Sequence, residues 1–296
     1  WNSTFALIVL KSNLLVYSSD PGVFYSDMNS FGHAAYAFFI YKIYWGALAL
    51  CLAALSSMLW ARGSEGRLKL RLAEAKNKAN MPTWMVFALG MVIFIGCGSF
   101  IYYNTNVQNK FQTDFQQEEE NASFERKYKK FELVPQPKIT DVLLNVDLFP
   151  NERGLHASGT YIMRNKSNKP IDSVHILIQS EIKVNAMSFS RTSQLMLNDS
   201  QYAYRIYKLA KPLQPGDTIT LAFNVDMIPH GFKQNFSGLS TPIYNGTFVN
   251  NNGFLPSIGY NRSLELSDNN QRKKHNLGYR RTSNPITDTN AYQRNL

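Results

Sequence analysis

Cysteine is scarce in this chain of 296 residues, and its placement excludes one class of fold. Both cysteines, Cys51 and Cys97, lie inside long apolar runs in the N-terminal part of the chain. The rest of the chain has no thiol, so it contains neither a disulfide framework nor a cysteine-based zinc site. Such a domain fits a bacterial cell surface as well as any other compartment.

The common catalytic and nucleotide-binding motifs are absent as well. The sequence has no H-E-x-x-H, no G-x-x-x-x-G-K, no G-x-S-x-G and no strand-bound G-x-G-x-x-G. Its histidines are His33, His156, His175, His230 and His275. His156 and His175 fall on strands that we expect to be adjacent, but a pair without a third ligand is more often structural. We therefore assign no catalytic, cofactor-binding or metal-binding residue to this chain.

The net charge of +10 would suit a nucleic-acid partner, but the basic residues are not gathered on one element. Their densest excess lies beside the apolar segments, where membrane topology accounts for it. The sequence therefore predicts no nucleic acid among the partners of this chain.

Residues 83–103 form an uncharged run long enough to cross a membrane. As a helix this run spans about 31 Å, which matches the hydrocarbon core of a bilayer. Trp84 lies at one end, and Tyr102 and Tyr103 lie at the other, where aromatic rings mark membrane interfaces. A buried helix of a soluble protein rarely stays apolar all round for this length. The run predicts a transmembrane helix.

Residues 34–60 predict a second transmembrane helix, although Lys42 interrupts the apolar run. The uncharged part, residues 44–60, spans only about 25 Å, slightly less than the hydrocarbon core. Lys42 extends the span if its ammonium snorkels to the interface. Small residues permit close approach of further helices, which favours a larger bundle. They are Ala47, Ala49, Ala53, Ala54, Ser56 and Ser57.

The linker between these helices, residues 61–82, sets the orientation. It contains Arg62, Arg67, Lys69, Arg71, Lys76 and Lys78 against Glu65 and Glu74. The positive-inside rule makes this linker cytoplasmic and places both chain ends outside, in a multi-pass protein of the cell inner membrane. Apolar residues recur within it at helical spacing, which indicates an amphipathic helix on the inner leaflet or one that docks a cytoplasmic partner.

The segments outside the helices are expected on the extracytoplasmic side. Residues 1–33 are predicted to be a truncated segment of that side. Residues 104–137 predict a helical stalk, because Phe124, Tyr128 and Phe131 recur at helical spacing and prolines follow. The acidic run 118–120 in this stalk is expected to be a solvated face.

Residues 138–296 predict an extracytoplasmic β-domain. Alternating apolar residues indicate strands over residues 139–148, 155–164, 174–178, 202–209 and 219–227, with turn residues between them. The fold class is therefore a membrane α + β protein, with two transmembrane helices before an antiparallel β-sandwich or saddle-like sheet. The basic residues 272–274, Arg280 and Arg281 are expected to be a solvated loop rather than an anion site.

Several stretches carry a resemblance to known families. Residues 25–33 (YSDMNSFGH), 41–46 (YKIYWG) and 103–107 (YNTNV) resemble the last helices of a bacterial ABC-type permease. Residues 139–171 (ITDVLLNVDLFPNERGLHASGTYIMRNKSNKPI) resemble the opening strands of aminopeptidase N-like zinc metallopeptidases. Residues 251–261 (NNGFLPSIGYN) resemble the loop that follows in permease–peptidase fusions.

This resemblance implies that the chain is a fragment of such a fusion, with the last permease helices and the N-terminal β-domain of the peptidase. The parent would be a zinc metalloaminopeptidase, and its zinc motif would lie in the missing C-terminal part. This piece would be inactive alone and would line one side of the peptidase cleft. The implied partners are membrane lipids, other permease helices, a separate ATP-binding subunit and, in the parent, a peptide substrate.

Two other interpretations remain open from the residues. The chain could be a membrane-anchored, non-enzymatic ectodomain that binds a ligand or partner. It could instead be an ABC transporter permease subunit whose outer domain receives substrate. A zinc motif downstream in the reading frame favours the peptidase, a nearby stop codon favours the ectodomain, and further apolar helices upstream favour a permease part. Neither the substrate nor the oligomeric state follows from the sequence.

Overall fold

The computed structural model describes residues 12–23, 25, 27, 30–60, 80–234, 242, 249–280 and 287. The predictions for most of the basic linker, for residues 1–11 of the N-terminal segment and for Arg281 lie outside these described residues. The chain divides into two compact units. The first comprises Trp1–Phe111 with His230–Ser237, and the second comprises Gln112–Pro229 with Gly238–Leu296.

The first unit is built on two long apolar helices. Helix α1 spans Ala34–Leu59, and helix α2 spans Met81–Tyr102 and continues as a π-helical turn, Tyr103–Gln108. Pro82 stands at the start of α2, where its missing N–H costs nothing. By length and composition, both helices are able to cross a membrane.

Small residues allow α1 and α2 to approach closely. A Cβ atom added at Gly90 would lie 2.6 Å from Cys51 Sγ and 3.3 Å from the Ala47 carbonyl oxygen. Further along the same crossing, the ring of Tyr44 in α1 stacks on the ring of Phe94 in α2, with ring centroids 4.5 Å apart. Gly90 therefore sets the helix separation at this crossing, because any larger residue meets backbone as well as side chain.

The segment that follows the last long strand also belongs to the first unit. Phe232 is buried in a cluster with Tyr41 and Ile101, and its main-chain neighbour Gly231 adopts a positive φ of 56°. A side chain at Gly231 would collide with Asn104 of the π-helical turn. Glycine is therefore needed at this position both for its backbone conformation and for the close approach.

The second unit contains two four-stranded antiparallel sheets. The strands are β1 (Lys138–Phe149), β2 (Gly154–Arg164), β3 (Ile171–Leu177), β4 (Ile182–Phe189), β5 (Ser193–Asp199), β6 (Tyr204–Leu213), β7 (Thr218–Met227) and β8 (Ser257–Ile258). The first sheet has the order β1-β2-β7-β4, and the second has the order β5-β6-β3-β8. Their inner faces enclose one hydrophobic core, to which β7 contributes the alternating residues from Ile219 to Met227.

Helix α3, Asp114–Tyr128, is part of this same unit rather than a free stalk. Thr113 begins it with a capping box to Gln116. Its apolar residues Phe124 and Tyr128 pack with Tyr204 and Tyr260 in a second aromatic cluster. A short helix, α4 (Asn269–Lys274), follows later in the chain.

Two apolar helices followed by two antiparallel sheets confirm the coarse α + β fold class. One expectation about pairing is wrong: β2 and β3 are consecutive in sequence but belong to different sheets. β2 pairs with β1 and β7, whereas β3 pairs with β6 and β8. The sequence therefore failed to indicate where the chain changes from one sheet to the other.

Candidate functional sites

The apolar surface of the helical hairpin is the most unusual feature of the first unit. Only 33% of the residues in the most apolar stretch of α1 are buried, and only 11% of those in α2. Large exposed side chains include Phe39, Leu52, Leu89, Val92 and Ile95. Exposed apolar surface of this kind often marks a membrane or protein contact, and both helices are long and apolar enough to cross a membrane.

Lys42 in α1 has a carboxylate partner, Asp20, in the loop before the helix. Its Nζ lies 2.7 Å from Asp20 Oδ2 and donates a hydrogen bond of 3.3 Å to the Ser18 carbonyl oxygen. In the next positions of α1, the indole N–H of Trp45 donates to the Ser19 carbonyl oxygen at 3.0 Å. The ammonium is therefore held by a carboxylate and a carbonyl oxygen of the loop before α1, a contact that the apolar pattern around Lys42 does not predict.

An open groove of about 500 Å³ lies in the same unit. Its walls include Leu14, Tyr44, Tyr102 and Val107, and its lining contains Gly98, which has no side chain. The lining is predominantly apolar. The groove can accommodate an apolar group, because none of the described residues that line it carries a charge.

His175 is a neutral, fully partnered histidine in the second unit. It is 2% exposed, and burial lowers its pKa from 6.5 to about 4. Its Nε2 lies 3.2 Å from Ser173 Oγ, and its Nδ1 lies 2.9 Å from the Tyr204 hydroxyl. The ring of Phe131 packs edge-on against the imidazole. The Ser–His pair resembles a nucleophile and its base, but the aromatic cluster around it makes a structural role the better account.

His156 lies on the outer face of the first sheet and pairs with Asp226. Its Nδ1 is 2.5 Å from Asp226 Oδ1, and Asn185 donates to Asp226 Oδ2 at 2.7 Å. The hydrogen bonds from Asn185 and then His156 hold the pKa of Asp226 below its usual value. Because His156 and His175 belong to different sheets, the expected cross-strand pair between them does not exist.

Within the residues that the structure describes, no group of three or more His, Cys, Asp or Glu side chains could hold a metal ion. The histidines described above are accounted for by hydroxyl and carboxylate neighbours. Nothing in their arrangement supplies both a nucleophile and an open position for substrate.

An ionic network joins α3 to the segment around α4. Arg272 is buried and contacts Glu125 with Nη1–Oε2 and Nη2–Oε1 distances of 2.7 and 2.6 Å. Glu265 is also buried, and it contacts Lys129 Nζ at 2.5 Å and the Tyr260 hydroxyl at 3.0 Å. Burial and the neighbouring Glu265 raise the pKa of Tyr260, so its hydroxyl stays protonated and donates.

The same network corrects two expectations from the sequence in part, because Arg272 and Glu118 are largely covered whereas the side chains of Glu119 and Lys274 remain 46% and 55% exposed. The acidic run of α3 was expected to face solvent, and the basic residues near α4 were expected to form a solvated loop. Instead, Glu118 lies 3.2 Å from Lys274 Nζ, and Glu119 lies 2.9 Å from His275 Nδ1. The two charged stretches are each other's partners. The sequence could not indicate this, because more than 140 residues separate them and no periodic pattern relates them.

Comparisons with known proteins give structural neighbours only. No protein-family model matches the chain, and no curated protein matches it. An M1 zinc metallopeptidase from Deinococcus radiodurans is 16% identical, with a TM-score of 0.27 over 32% of this chain and 21% of that chain. A variant from the same organism, bound to a Tyr-Ser-Ala substrate, is 17% identical, with a TM-score of 0.26 over 31% of this chain and 21% of that one.

A two-domain M1 zinc metallopeptidase variant bound to L-tryptophan is likewise 17% identical, with a TM-score of 0.26 over 32% of this chain and 22% of that chain. The chain therefore matches about a fifth of the length of these neighbours. The overlap is local and its TM-scores are low, so the neighbours carry no argument about the activity of this chain.

Proposed function

We propose that this chain is a membrane-anchored β-domain, in which α1 and α2 cross a lipid bilayer and hold the two-sheet unit on the extracytoplasmic side. The observation that carries this proposal is the exposed apolar surface of the hairpin. With 26 residues, α1 is about 39 Å long, which exceeds the hydrocarbon core of about 30 Å.

The alternative of a soluble hairpin fits the burial poorly. A core helix of a soluble protein is mostly buried, whereas only 11% of the most apolar stretch of α2 is buried. Burying this surface in acyl chains removes it from water at no cost in polar groups, because the helix satisfies its own backbone. Membrane lipids are also the simplest occupants of the apolar groove near Tyr102.

The orientation rests on the basic linker. Its lysines and arginines favour the cytoplasmic side, which puts the β-domain on the opposite side of the inner membrane. The ion pair between Lys42 and Asp20 is consistent with this placement, because the carboxylate neutralises a lysine that lies near the end of α1 opposite to the linker.

For the whole protein, we propose a zinc aminopeptidase joined to an ABC-type permease part. The peptidase part is supported by the resemblance of residues 139–171 to aminopeptidase N-like zinc metallopeptidases and of residues 251–261 to the loop of permease–peptidase fusions, not by the structural neighbours. The permease part is supported by the resemblance of residues 25–33, 41–46 and 103–107 to a bacterial ABC-type permease. This chain would supply the non-catalytic wall beside the peptidase cleft. The zinc ligands, two imidazoles and a carboxylate with a further glutamate beside the bound water, would belong to another part of the polypeptide.

Labelling of engineered cysteines from one side of the membrane tests the proposed anchoring and orientation. In a Cys51→Ala, Cys97→Ala background, we expect Ser200→Cys to react with a membrane-impermeant maleimide on intact spheroplasts and Ser64→Cys to react only after lysis. Ser200 is exposed in the turn between β5 and β6, whereas the half-buried Ser173 would report burial rather than sidedness. Equal labelling of both sites in intact cells would refute the orientation.

The intact mass and coding sequence of the cellular protein test the proposed parent. An H-E-x-x-H motif downstream, together with zinc-dependent release of N-terminal residues from peptides, supports the peptidase. A cellular protein without that motif would leave an anchored ectodomain or a transport subunit as the function of the same membrane-bound unit.

A further inference from the structure

The loop before α1, residues 12–19, exposes three consecutive apolar side chains. Leu15, Val16 and Tyr17 are 62%, 43% and 60% exposed. No residue of this loop carries a charge. Apolar residues scattered singly over a surface need no explanation, whereas a contiguous exposed group marks a contact site.

The main chain of this loop is held by α1. Three side chains of α1 donate hydrogen bonds to carbonyl oxygens of the loop. The pairs are Tyr44 with Leu14 at 3.1 Å, Lys42 with Ser18 at 3.3 Å and Trp45 with Ser19 at 3.0 Å. Within the loop, the N–H groups of Leu15 and Val16 both donate to the Ser12 carbonyl oxygen. Unpaired main-chain groups are costly in an apolar medium, so this paired backbone suits a loop at the edge of a bilayer.

The start of the loop is fixed as well. The Asn13 N–H donates to Gln234 Oε1 at 3.1 Å, and Asn13 Nδ2 donates to the Gln234 carbonyl oxygen at 2.8 Å. Gln234 Nε2 in turn donates to Ser12 Oγ at 3.0 Å. The apolar tip is therefore presented by a loop that is bonded at its start and along its length, not by a free tail.

The loop lies at the level of one membrane interface if the hairpin crosses a bilayer. A crossing of about 30 Å takes about 20 residues, so counted back from Leu59 it begins near Ile40. The donors at positions 42–45 lie within about two turns of that boundary. The apolar groove joins the loop to Tyr102 and Tyr103, at the end of α2 far from the linker. Tyrosine and tryptophan are enriched at this level of a membrane.

We propose that this loop inserts into the outer, extracytoplasmic interface of the bilayer, where Leu15, Val16 and Tyr17 contact lipid. It forms a third membrane contact beside the two spanning helices. The inference rests on the proposed function, because it needs a hairpin that crosses the membrane. Leu15 and Val16 reach the acyl chains, whereas Tyr17 packs edge-on against Trp45, with centroids 5.3 Å apart, and keeps its hydroxyl among the polar headgroups.

Lipid fits this surface better than a further helix does. Helices associate in membranes through small residues that let their backbones approach closely, and the exposed side chains of this loop are all large. Three consecutive residues of a turn also point in different directions, so they do not form the stripe that a helix requires. Lys42 and Asp20 beside the loop pair with each other, so insertion leaves neither charge isolated.

Fluorescence quenching of the full chain in lipid nanodiscs tests the insertion. In the Cys51→Ala, Cys97→Ala background, a bimane label is placed at Val16→Cys. We expect nitroxide lipids to quench this label at least about twofold more than aqueous iodide does. Val92→Cys, on the exposed face of α2, reports the anchoring itself and should respond to lipid nitroxides. Ser200→Cys, in an exposed turn of the β-unit, should respond to iodide alone.

The three labels separate the possible failures. Lipid quenching at Val92→Cys with iodide quenching alone at Val16→Cys would overturn the insertion and leave the anchoring intact. Shielding of Val16→Cys from both quenchers would assign the loop to a protein contact and would also overturn the proposal. A Val92→Cys label that lipid does not quench would refute the anchoring, and the insertion with it.

A charge placed in the loop gives a second test. Leu15→Asp puts a carboxylate into the apolar layer, so we expect the ratio of lipid to iodide quenching at Val16→Cys to fall at least about twofold. Ser18→Asp is the matched control, because Lys42 lies beside Ser18 and aspartate tolerates the positive φ of 64° there. It should leave the ratio unchanged. Equal responses to the two substitutions would contradict insertion of the apolar tip.

Discussion

Arg272 and Glu125 form a bidentate ion pair inside the second unit, with nitrogen–oxygen distances of 2.6 and 2.7 Å. Both side chains are almost fully buried, and Arg272 Nε also donates to the Gly278 carbonyl oxygen at 2.7 Å. The hydrogen bonds to Glu125 raise the pKa of Arg272, so the guanidinium stays charged. Lys129 Nζ lies farther from Glu125, at 3.9 Å, so the pair supplies the main compensation of both charges, and loss of either partner leaves a poorly compensated charge in the interior.

We therefore predict that Arg272→Ala lowers the free energy of unfolding of the second unit by about 3–5 kcal/mol. Replacing both members, with Arg272→Met and Glu125→Leu, should cost much less because no charge remains buried. The measurement is hydrogen exchange of β7, which reports opening of the core. Arg191→Ala, which breaks an exposed pair with Asp217, is the control and should cost at most about 1 kcal/mol. Equal losses in both single variants would contradict this account.

Two neighbouring residues of strand β7 test which face of this strand is buried in the core. Leu221 is fully buried, whereas its neighbour Ala222 points to the outer face and is exposed. Leu221→Asp buries an unpaired carboxylate, so we expect it to unfold the second unit at neutral pH. Ala222→Asp should leave the β-type circular dichroism and the exchange protection of β7 nearly unchanged. Similar behaviour of the two variants would indicate that the faces of β7 are wrongly assigned.

The sequence predicted strands that keep a long alternating stretch, even where a bulge lies near one end as in β1, and missed β4 and β5, in which the bulge lies in the middle of the strand. Strand β7 alternates from Ile219 to Met227 and was predicted at nearly its observed bounds. Strands β4 and β5 each contain a bulge, between Val184 and Ala186 and between Leu195 and Leu197. A bulge shifts the side chains to the other face and breaks the period of two on which the prediction depends.

The charged contacts could not be predicted from the sequence, for a different reason. Folding brings distant segments together in two ion pairs, Arg272 with Glu125 and Lys42 with Asp20. The local pattern of apolar and polar residues does not indicate such contacts. The acidic and basic stretches looked solvent-facing because charge is usually exposed. Their complementary signs were a signal that could have suggested a mutual contact, but not its geometry.

Gly90 offers a test of the helical hairpin. Gly90→Leu should separate α1 and α2, because its side chain would overlap Cys51 and the Ala47 carbonyl oxygen. Gly96→Leu is the matched control, since no atom lies within 4 Å of its added Cβ. We expect Gly90→Leu to destabilise the detergent-solubilised chain by about 1–3 kcal/mol and so to lower its thermal midpoint. Gly96→Leu should leave the thermal midpoint unchanged. Equal effects would show that the crossing does not depend on Gly90.

The buried histidine of the second unit predicts a loss of stability in acid. Burial depresses the pKa of His175 to about 4 in the folded chain, against 6.5 for an ordinary histidine. Above pH 6.5 the imidazole is neutral in both states, so it contributes no pH dependence. Between pH 6.5 and 4 the unfolded chain binds a proton that the folded chain does not, so stability falls as the pH falls. The difference in pKa corresponds to about 3 kcal/mol, and below pH 4 the loss stops.

His175→Gln removes this titration while keeping a side chain that can meet Ser173 and Tyr204. We expect the free energy of unfolding of the wild type, relative to this variant, to decrease by about 3 kcal/mol between pH 7 and pH 4. Carboxylate titrations are common to both proteins and cancel in the difference. The imidazole resonances of His175 should also remain those of the neutral ring at pH 5, with the urea-unfolded chain as reference. A titration midpoint near 6.5 in the folded protein would contradict a buried, neutral His175.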